Sequence, residues 1–256
     1  MEKKLAIIHY NTPELTEACI LSIRKQGCDA PILLFDNSDK RPFKKRMKGV
    51  KRIDNTKGKV IDFDKFLEQY PDREPRYAML SNFGSAKHIR TVQELWKLLP
   101  GGFILVESDT LLMRNPLDLW KEEFAAVGHV QWHQHGNLCD IPRYEPFLLY
   151  MNVPKLTAAG VSFFDPKRCW ALQKGEMTRG NWYDTGASLF EDVRNTKPAL
   201  VGLNFDTRPY IVHYHGGSWR DDDHEKQILW LSKLSSLWMT DTIKATAPMP
   251  EGIQFR

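Results

Sequence analysis

The sequence predicts an α/β fold with a mixed, mainly parallel central sheet flanked by helices. Short apolar segments alternate with segments of helical periodicity through the first 116 residues. Apolar segments of this length, without polar alternation, are typical of strands that are buried on both faces of a sheet. Strand, helix, strand, helix, strand is the order in which a right-handed parallel sheet is built.

The first strand is predicted at Leu5–Tyr10, where the chain is almost wholly apolar. A helix should follow, with Thr12 as its N-cap and Pro13 at its first position, where the missing amide hydrogen costs nothing. Its apolar residues recur at helical spacing. Pro31–Phe35 predicts the second strand, which ends at turn-forming residues.

A second helix is predicted from Gly84 to Leu99, because its apolar residues form one face. Pro100 and the two glycines after it end that helix, and Phe103–Val106 predicts the third strand. The second half is less regular, and His133–Glu145 is expected to be a loop. Further strands are predicted at Ala125–Trp132, Phe147–Met151, Gly160–Phe164 and Ile211–His215, and helices at Asp184–Asn195 and Ile228–Trp238.

Composition is that of a globular chain, with 42% hydrophobic and 27% charged residues among 256. No apolar run is as long as a transmembrane helix, and the apolar run at the N-terminus is too short for a signal peptide. The four scattered cysteines lack a C-x-x-C spacing and are expected to be reduced thiols. These features predict a cytoplasmic protein.

A formal net charge of +4 conceals a strongly basic segment between Lys40 and Lys59. A solvated surface is one interpretation, and peripheral contact with the anionic inner face of a membrane is the other. Nucleic acid is not expected, because Phe43 is the one aromatic residue in the segment. The ten basic residues are Lys40, Arg41, Lys44, Lys45, Arg46, Lys48, Lys51, Arg52, Lys57 and Lys59.

Polar side chains follow all three predicted strands of the first half. Asn11 follows the first, Asp36 and Asn37 the second, and Glu107-Ser108-Asp109 the third. Ligands of open α/β sheets bind at the carboxyl ends of the strands. Two carboxylates one residue apart are costly to bury without a cation. A divalent cation with a phosphorylated ligand is therefore predicted at this edge.

Four segments within Met1–Pro116 resemble GT-A glycosyltransferases, in particular inverting enzymes that use nucleotide diphosphate sugars. They are IIHYNTPELTEACILSIRKQ, LLFDNSD, LSNFGSAKHIR and ILVESDTLL. The last resembles the family's Asp-x-Asp strand but has Glu107 at its first acidic position, which leaves Asp109 as the safer metal ligand. The resemblance implies one domain over 1–256, with a nucleotide-sugar half at 1–116 and an acceptor half at 117–256.

The resemblance also implies the reaction and its participants. A sugar would pass from a nucleotide diphosphate donor to a saccharide or lipid-linked acceptor, with Mn²⁺ or Mg²⁺ as cofactor. Whether the sugar's configuration is inverted or retained stays open. The residues implied in donor binding are Asn11, Asp36, Asn82, Lys87, Glu107 and Ser108.

The segment IVHYHGGSW resembles a late family segment in which a histidine completes the metal site. His213 and His215 alternate to the same face of a strand. His215 is predicted as the ligand, because it ends the strand next to two glycines. His213 is interpreted as structural.

An inverting transferase needs a carboxylate base near the acceptor hydroxyl. Asp184 is favoured, because it begins a predicted helix beside Trp182 and Tyr183, whose rings suit the faces of a sugar. A simple helix cap would explain Asp184 equally well. Glu191 and Asp192 are the other candidates.

Two other functions remain open at this point. His129, His133 and His135 lie close together in the sequence and could hold zinc in a hydrolase, although no glutamate at helical spacing offers a general base. A nucleotide-binding module without activity is the second alternative.

Overall fold

The computed structural model describes residues 2–57, 68, 73–75, 83–132, 142–165, 171–173, 185–195, 200–214, 224–239 and 253–255. These residues form an eight-stranded sheet, two small two-stranded sheets and flanking helices. The strands are β1 Leu5–His9, β2 Ile32–Asp36, β3 Val50–Asp54, β4 Arg73–Pro75, β5 Phe103–Glu107, β6 Thr110–Leu112, β7 Ala126–Gln131, β8 Arg143–Met151, β9 Ala171–Gln173, β10 Gly202–Asn204, β11 Ile211–His213 and β12 Ile253–Phe255. The helices are α1 Pro13–Lys25, α2 Phe83–Leu98, α3 Val153–Ala158, α4 Ala187–Asn195 and α5 His224–Met239, with 3₁₀ turns at Pro116–Leu119 and Arg208–Tyr210.

The large sheet has the order β12-β10-β7-β8-β5-β1-β2-β3. Strands β3, β2, β1 and β5 are mutually parallel, and β7 pairs in parallel with β10. Strand β8 runs antiparallel to both β5 and β7, and β12 runs antiparallel to β10. The predicted α/β class, with a mixed and mainly parallel sheet between helices, is confirmed.

Helices cover both faces of the sheet because the strands are apolar on both sides. Leu5 and Ile7 of β1 pack with the buried face of α1. Ala6 and Ile8, which point the other way, pack with the apolar face of α2. Helices α3 and α4 add to this second core. The parallel strands therefore end at a common edge, between helices.

Several local predictions differ from the structure. Gly160–Phe164 is not a strand: Val161 and Phe163 are buried from an irregular segment after α3. Strand β8 begins at Arg143, within the predicted loop, and β3 lies in the basic segment, where no strand was predicted. Thr12 does stand at the N-cap of α1, but its side chain makes no capping hydrogen bond.

The region predicted as a last strand at Ile211–His215 pairs outside the large sheet. Strand β11 joins β6 in a separate antiparallel pair, with His213 opposite Thr110. Among the helices that the structure describes, none is both long and apolar enough to cross a membrane.

Candidate metal centre

Three potential metal ligands meet where β5 ends. Glu107 is its last residue, Asp109 follows two positions later, and His213 ends β11. Nε2 of His213 lies 3.2 Å from Oδ1 of Asp109 and 3.5 Å from Oε2 of Glu107. One ligand atom from each of the three residues lies within 4.8 Å of the other two. We call these three residues the acidic–histidine cluster.

The small sheet formed by β6 and β11 fixes this geometry. The amide of Tyr214 donates to the carbonyl oxygen of Asp109 at 2.9 Å, which brings the end of β11 against the acidic turn. Helix α1 holds β6 from the other side. Ser22 Oγ accepts from the amide of Leu112 at 2.8 Å, and Gln26 Nε2 donates to its carbonyl oxygen at 3.3 Å. Three separate parts of the chain therefore set the position of the cluster.

Two further side chains contact the cluster. The ring of Phe147, on β8, stacks on the imidazole of His213 with centroids 3.9 Å apart and an angle of 27° between the planes. His88, on α2, places Nε2 3.8 Å from Oε1 of Glu107. Each contact limits the orientation of one potential ligand.

Burial and mutual charge shape the protonation of the cluster. Burial works to lower the pKa of His213, but close contact with Asp109 and Glu107 outweighs it and raises this pKa to about 10. Burial raises the pKa of Asp109; contact with His213 opposes the rise, and the charge of Glu107 adds to it. For Glu107, burial is outweighed by His213 and His88, and the pKa falls. A protonated His213 is thus the cation that holds the two acids together.

The donor set fits a divalent cation. Two carboxylates supply hard oxygen ligands, and one imidazole nitrogen is compatible with Mn²⁺. Ligand atoms around a six-coordinate cation lie roughly 3 to 4.5 Å apart, given bonds of about 2.1 Å. The distances from His213 Nε2 to the two carboxylates, 3.2 and 3.5 Å, fall within this range.

The remaining predicted site residues are distributed as follows. Ser108 is buried in the turn between Glu107 and Asp109. Lys87 lies on α2, and the structure describes its backbone but not its side chain. Asn82, Asp184 and His215 lie outside the described residues, so their roles stay predictions.

Asn11 has its hydrogen bonds within the protein. Its backbone is left-handed, with φ of 57°. Its side chain is hydrogen-bonded to the loop that follows β2. Oδ1 accepts from the amides of Lys40 and Arg41 at 3.0 and 2.9 Å, and Nδ2 donates to Asp39 at 2.6 Å. A donor contact by Asn11 would compete with these bonds.

Asp36 is also engaged within the protein. It has no exposed surface, and Oδ1 accepts from the amide of Ser38 at 3.0 Å. Oδ2 accepts from the amide of Phe43 and from Nε of Arg52, both at 2.9 Å. A contact between Asp36 and a nucleotide would require some of these bonds to break.

Sequence reasoning did not select His213 or His88 for the cluster. Alternation placed His213 and His215 on one face but could not show which of them meets Asp109, since that depends on pairing between β11 and β6. The sequence predicts Glu107 as a donor-binding residue, and the structure places its carboxylate within the cluster. The stack of Phe147 on His213 had no sequence signal.

Comparison with known proteins yields structural neighbours only. No protein-family model matches the chain, and no curated protein matches its sequence. A crystal structure of the galactosyltransferase LgtC in complex with donor and acceptor sugar analogs is similar, with a TM-score of 0.38 and 12% identity. The match covers 60% of this chain and 59% of that one. An active-site mutant of LgtC matches over the same shares, with a TM-score of 0.37 and 12% identity.

Proposed function

We propose that this protein is a metal-dependent glycosyltransferase, which moves a sugar from a nucleotide diphosphate sugar to a saccharide or lipid-linked acceptor. The observation that carries the proposal is the acidic–histidine cluster of Glu107, Asp109 and His213. It lies at the carboxyl end of β5, where ligands of α/β sheets bind. The resemblance of residues 1–116 to GT-A enzymes supplies the donor class.

The chain's own groups define what the site would do. Glu107 and Asp109 would hold Mn²⁺ or Mg²⁺ through oxygen, and His213 through Nε2 once it has lost its proton. The bound cation would neutralise the charge that develops on the leaving diphosphate. Phe147 would keep the imidazole plane of His213 fixed. His88 would fix the orientation of the Glu107 carboxylate.

Asp184 is our proposed base for the acceptor hydroxyl. The residues directly after it are well fixed: Thr185 is buried, and a Cβ on Gly186 would lie 2.1 Å from the carbonyl oxygen of Tyr144. Tyr144 is on β8, the strand that also presents Phe147 to His213. Tyr144 and Phe147 are three residues apart on this strand, a span of about 10 Å.

Thermal unfolding with nucleoside diphosphates tests the proposal. Uridine or guanosine diphosphate with Mn²⁺ should raise the melting temperature, because a ligand that binds only the folded chain stabilises it by about 2.7 kcal/mol at 100 times its dissociation constant. Asp109→Asn is the control and should show no such shift. Absence of stabilisation by every nucleoside diphosphate, with or without metal, would refute the proposal.

Metal content separates the transferase from a zinc hydrolase. His129, the one described residue of the hydrolase candidates, has Nδ1 3.9 Å from Oδ1 of Asp206. His133 and His135 lie outside the described residues. A hydrolase would retain zinc through purification and lose it on His129→Ala, whereas the transferase should bind Mn²⁺ weakly and more tightly with nucleotide.

A further inference from the structure

A groove of about 640 Å³ runs along the outer side of α1. Its apolar part is formed by Ile20, Leu21 and Met47, and Leu21 is half exposed. Positive charges exceed negative charges along its walls. The charged residues that line it are Arg24, Lys45, Arg46 and Lys48, with Glu17 and Asp29.

A second hollow of about 460 Å³ continues this surface towards β3 and is lined by further cations. Strand β3 is at the end of the sheet, so its outer side has no neighbouring strand among the described residues. Its Lys51 is exposed. We define the basic face by its five exposed cations: Lys44, Lys45, Arg46, Lys48 and Lys51.

Most cations of the basic face have no compensating acid among the described residues. Lys45 pairs with Glu17, and the neighbouring Arg52 pairs with Asp36 and Asp54. Within the part of the chain that the structure describes, the other four members of the basic face make no ion pair. An uncompensated group of cations beside an exposed leucine suits a partner that offers both anions and an apolar layer.

One end of the basic face, at Lys48, lies away from the metal centre. The carbonyl oxygen of Gly49 accepts from the amide of Ile32, at the start of β2. The acidic–histidine cluster follows the carboxyl end of β5, which is parallel to β2 through β1. A five-residue strand separates the two edges by about 17 Å. The Lys48 end is therefore remote from the cluster, whereas Lys44 follows Phe43, whose amide donates to Asp36 at the carboxyl end of β2.

We propose that the basic face docks on a membrane surface rich in anionic phospholipid, with Leu21 entering the headgroup region. Clustered lysine and arginine bind such surfaces through their charge, and a partly inserted apolar side chain adds to the affinity. Single-stranded nucleic acid fits less well, because Phe43 is 2% exposed and packs on His9, so it cannot stack on a base. This inference does not depend on the proposed glycosyl transfer.

Co-sedimentation of the full chain with vesicles tests the docking. Phosphatidylcholine vesicles containing phosphatidylglycerol should bind the protein, and pure phosphatidylcholine vesicles should not. Binding should fall steeply as salt is added, because salt screens exposed charges. Equal binding to the two kinds of vesicle would overturn the proposal.

A charge-matched pair of variants locates the surface. The triple variant Lys44→Gln, Arg46→Gln and Lys48→Gln should bind anionic vesicles about 100-fold more weakly, since each cation near the surface contributes about fivefold. The control is Lys97→Gln, Lys155→Gln and Lys233→Gln, which removes three exposed lysines elsewhere on the chain. The control should bind nearly as well as the unaltered protein. Equal losses would show a nonspecific charge effect and overturn the proposal.

Two further outcomes also decide it. Leu21→Ala should weaken vesicle binding severalfold without changing its salt dependence, because no charge is removed. Tighter binding to duplex DNA than to anionic vesicles at equal salt would instead assign the face to nucleic acid. If the unaltered chain does not bind vesicles and the triple variant aggregates, the proposal is overturned. Lys51 and its neighbours would then serve to keep the edge strand β3 from pairing with another chain.

Discussion

The carboxyl ends of β2 and β5 each have a buried aspartate, but the two sites are built in opposite ways. Asp36 is surrounded by donors: two main-chain amides and the guanidinium of Arg52. Asp109 instead faces a second carboxylate, Glu107, and both depend on His213. One site is closed by a permanent cation, and the other by a cation that can lose its charge.

This difference shows how two similar sequence patterns acquire different uses. Arg52 reaches Asp36 because β3 pairs in parallel with β2 and places the two residues near the same edge. The cation next to Asp109 is instead His213, which belongs to the separate small sheet of β6 and β11. The arginine side chain stays protonated and cannot bind a metal ion, whereas a histidine can lose its proton and bind one through the freed nitrogen. The partners of a carboxylate at a strand end, and not its position alone, therefore distinguish the two sites.

The largest expected effect is that of Asp109→Asn, which should abolish sugar transfer. The change removes a ligand and also relieves repulsion with Glu107, so the free energy of unfolding without metal should change little. Transfer rates at limiting Mn²⁺, together with denaturant unfolding, measure both effects. Normal turnover of the variant at limiting Mn²⁺ would contradict the metal role of Asp109, which would then be a structural residue like Asp36.

Asp184→Asn should lower the turnover number by about 10²–10⁴-fold, because the base acts on the acceptor proton in the transition state. Donor and metal binding should stay nearly intact. The predicted cap role of Asp184 is wrong, because α4 begins at Ala187 and the carbonyl oxygen of Gly186 accepts from the amide of Phe190. If Asp184 has no catalytic role, the Asn variant should keep the rate unchanged. The rate at saturating donor and acceptor decides, and a near-normal value would move the base to Glu191 or Asp192.

Asp36→Asn should destabilise the fold without removing a metal ligand. We expect a loss of about 2 kcal/mol, which is below the usual cost of breaking a buried pair because Arg52 is partly exposed. Asp54→Asn is the matched control, since Asp54 also pairs with Arg52 but is 57% exposed. Denaturant unfolding should show a much smaller loss for the control. A similar loss in both would mean that burial does not distinguish Asp36.

The smallest effect is expected for His88→Ala, with a Mn²⁺ dissociation constant raised about tenfold. The imidazole positions Glu107 from 3.8 Å and is itself no ligand in our assignment. His129→Ala is the control, because His129 has similar exposure and also lies near a carboxylate. Calorimetric titration with Mn²⁺ separates the two. An equal effect in both variants would contradict a positioning role for His88.

How much the sequence could predict depended on burial. Phe103–Val106 is wholly buried, and its apolar composition predicted the strand. Val50–Asp54 is an edge strand, three of whose five residues are charged, so no apolar pattern marked it. Val161 and Phe163 have the opposite property, because they fill the core without forming a strand. Apolar composition therefore reported burial more faithfully than it reported secondary structure.

The site was predictable only as far as local sequence determines it. Glu107 and Asp109 are neighbours in the chain, and their closeness follows from the sequence alone. The contact between His213 and Asp109 depends on the pairing of β11 with β6, which no local pattern specifies. The same holds for His88, which approaches Glu107 from α2.

The pairing of β6 with β11 has a consequence for folding. A cation held by Asp109 and His213 would act as a cross-link between residues roughly 100 positions apart. The conformational entropy lost when the chain closes such a loop grows only slowly with loop length. Such a cross-link would join β11, from the second half of the chain, to the acidic turn after β5, from the first half. Chelation should then speed hydrogen exchange at the amides of Val212 and Tyr214, while β1 and β2 stay protected.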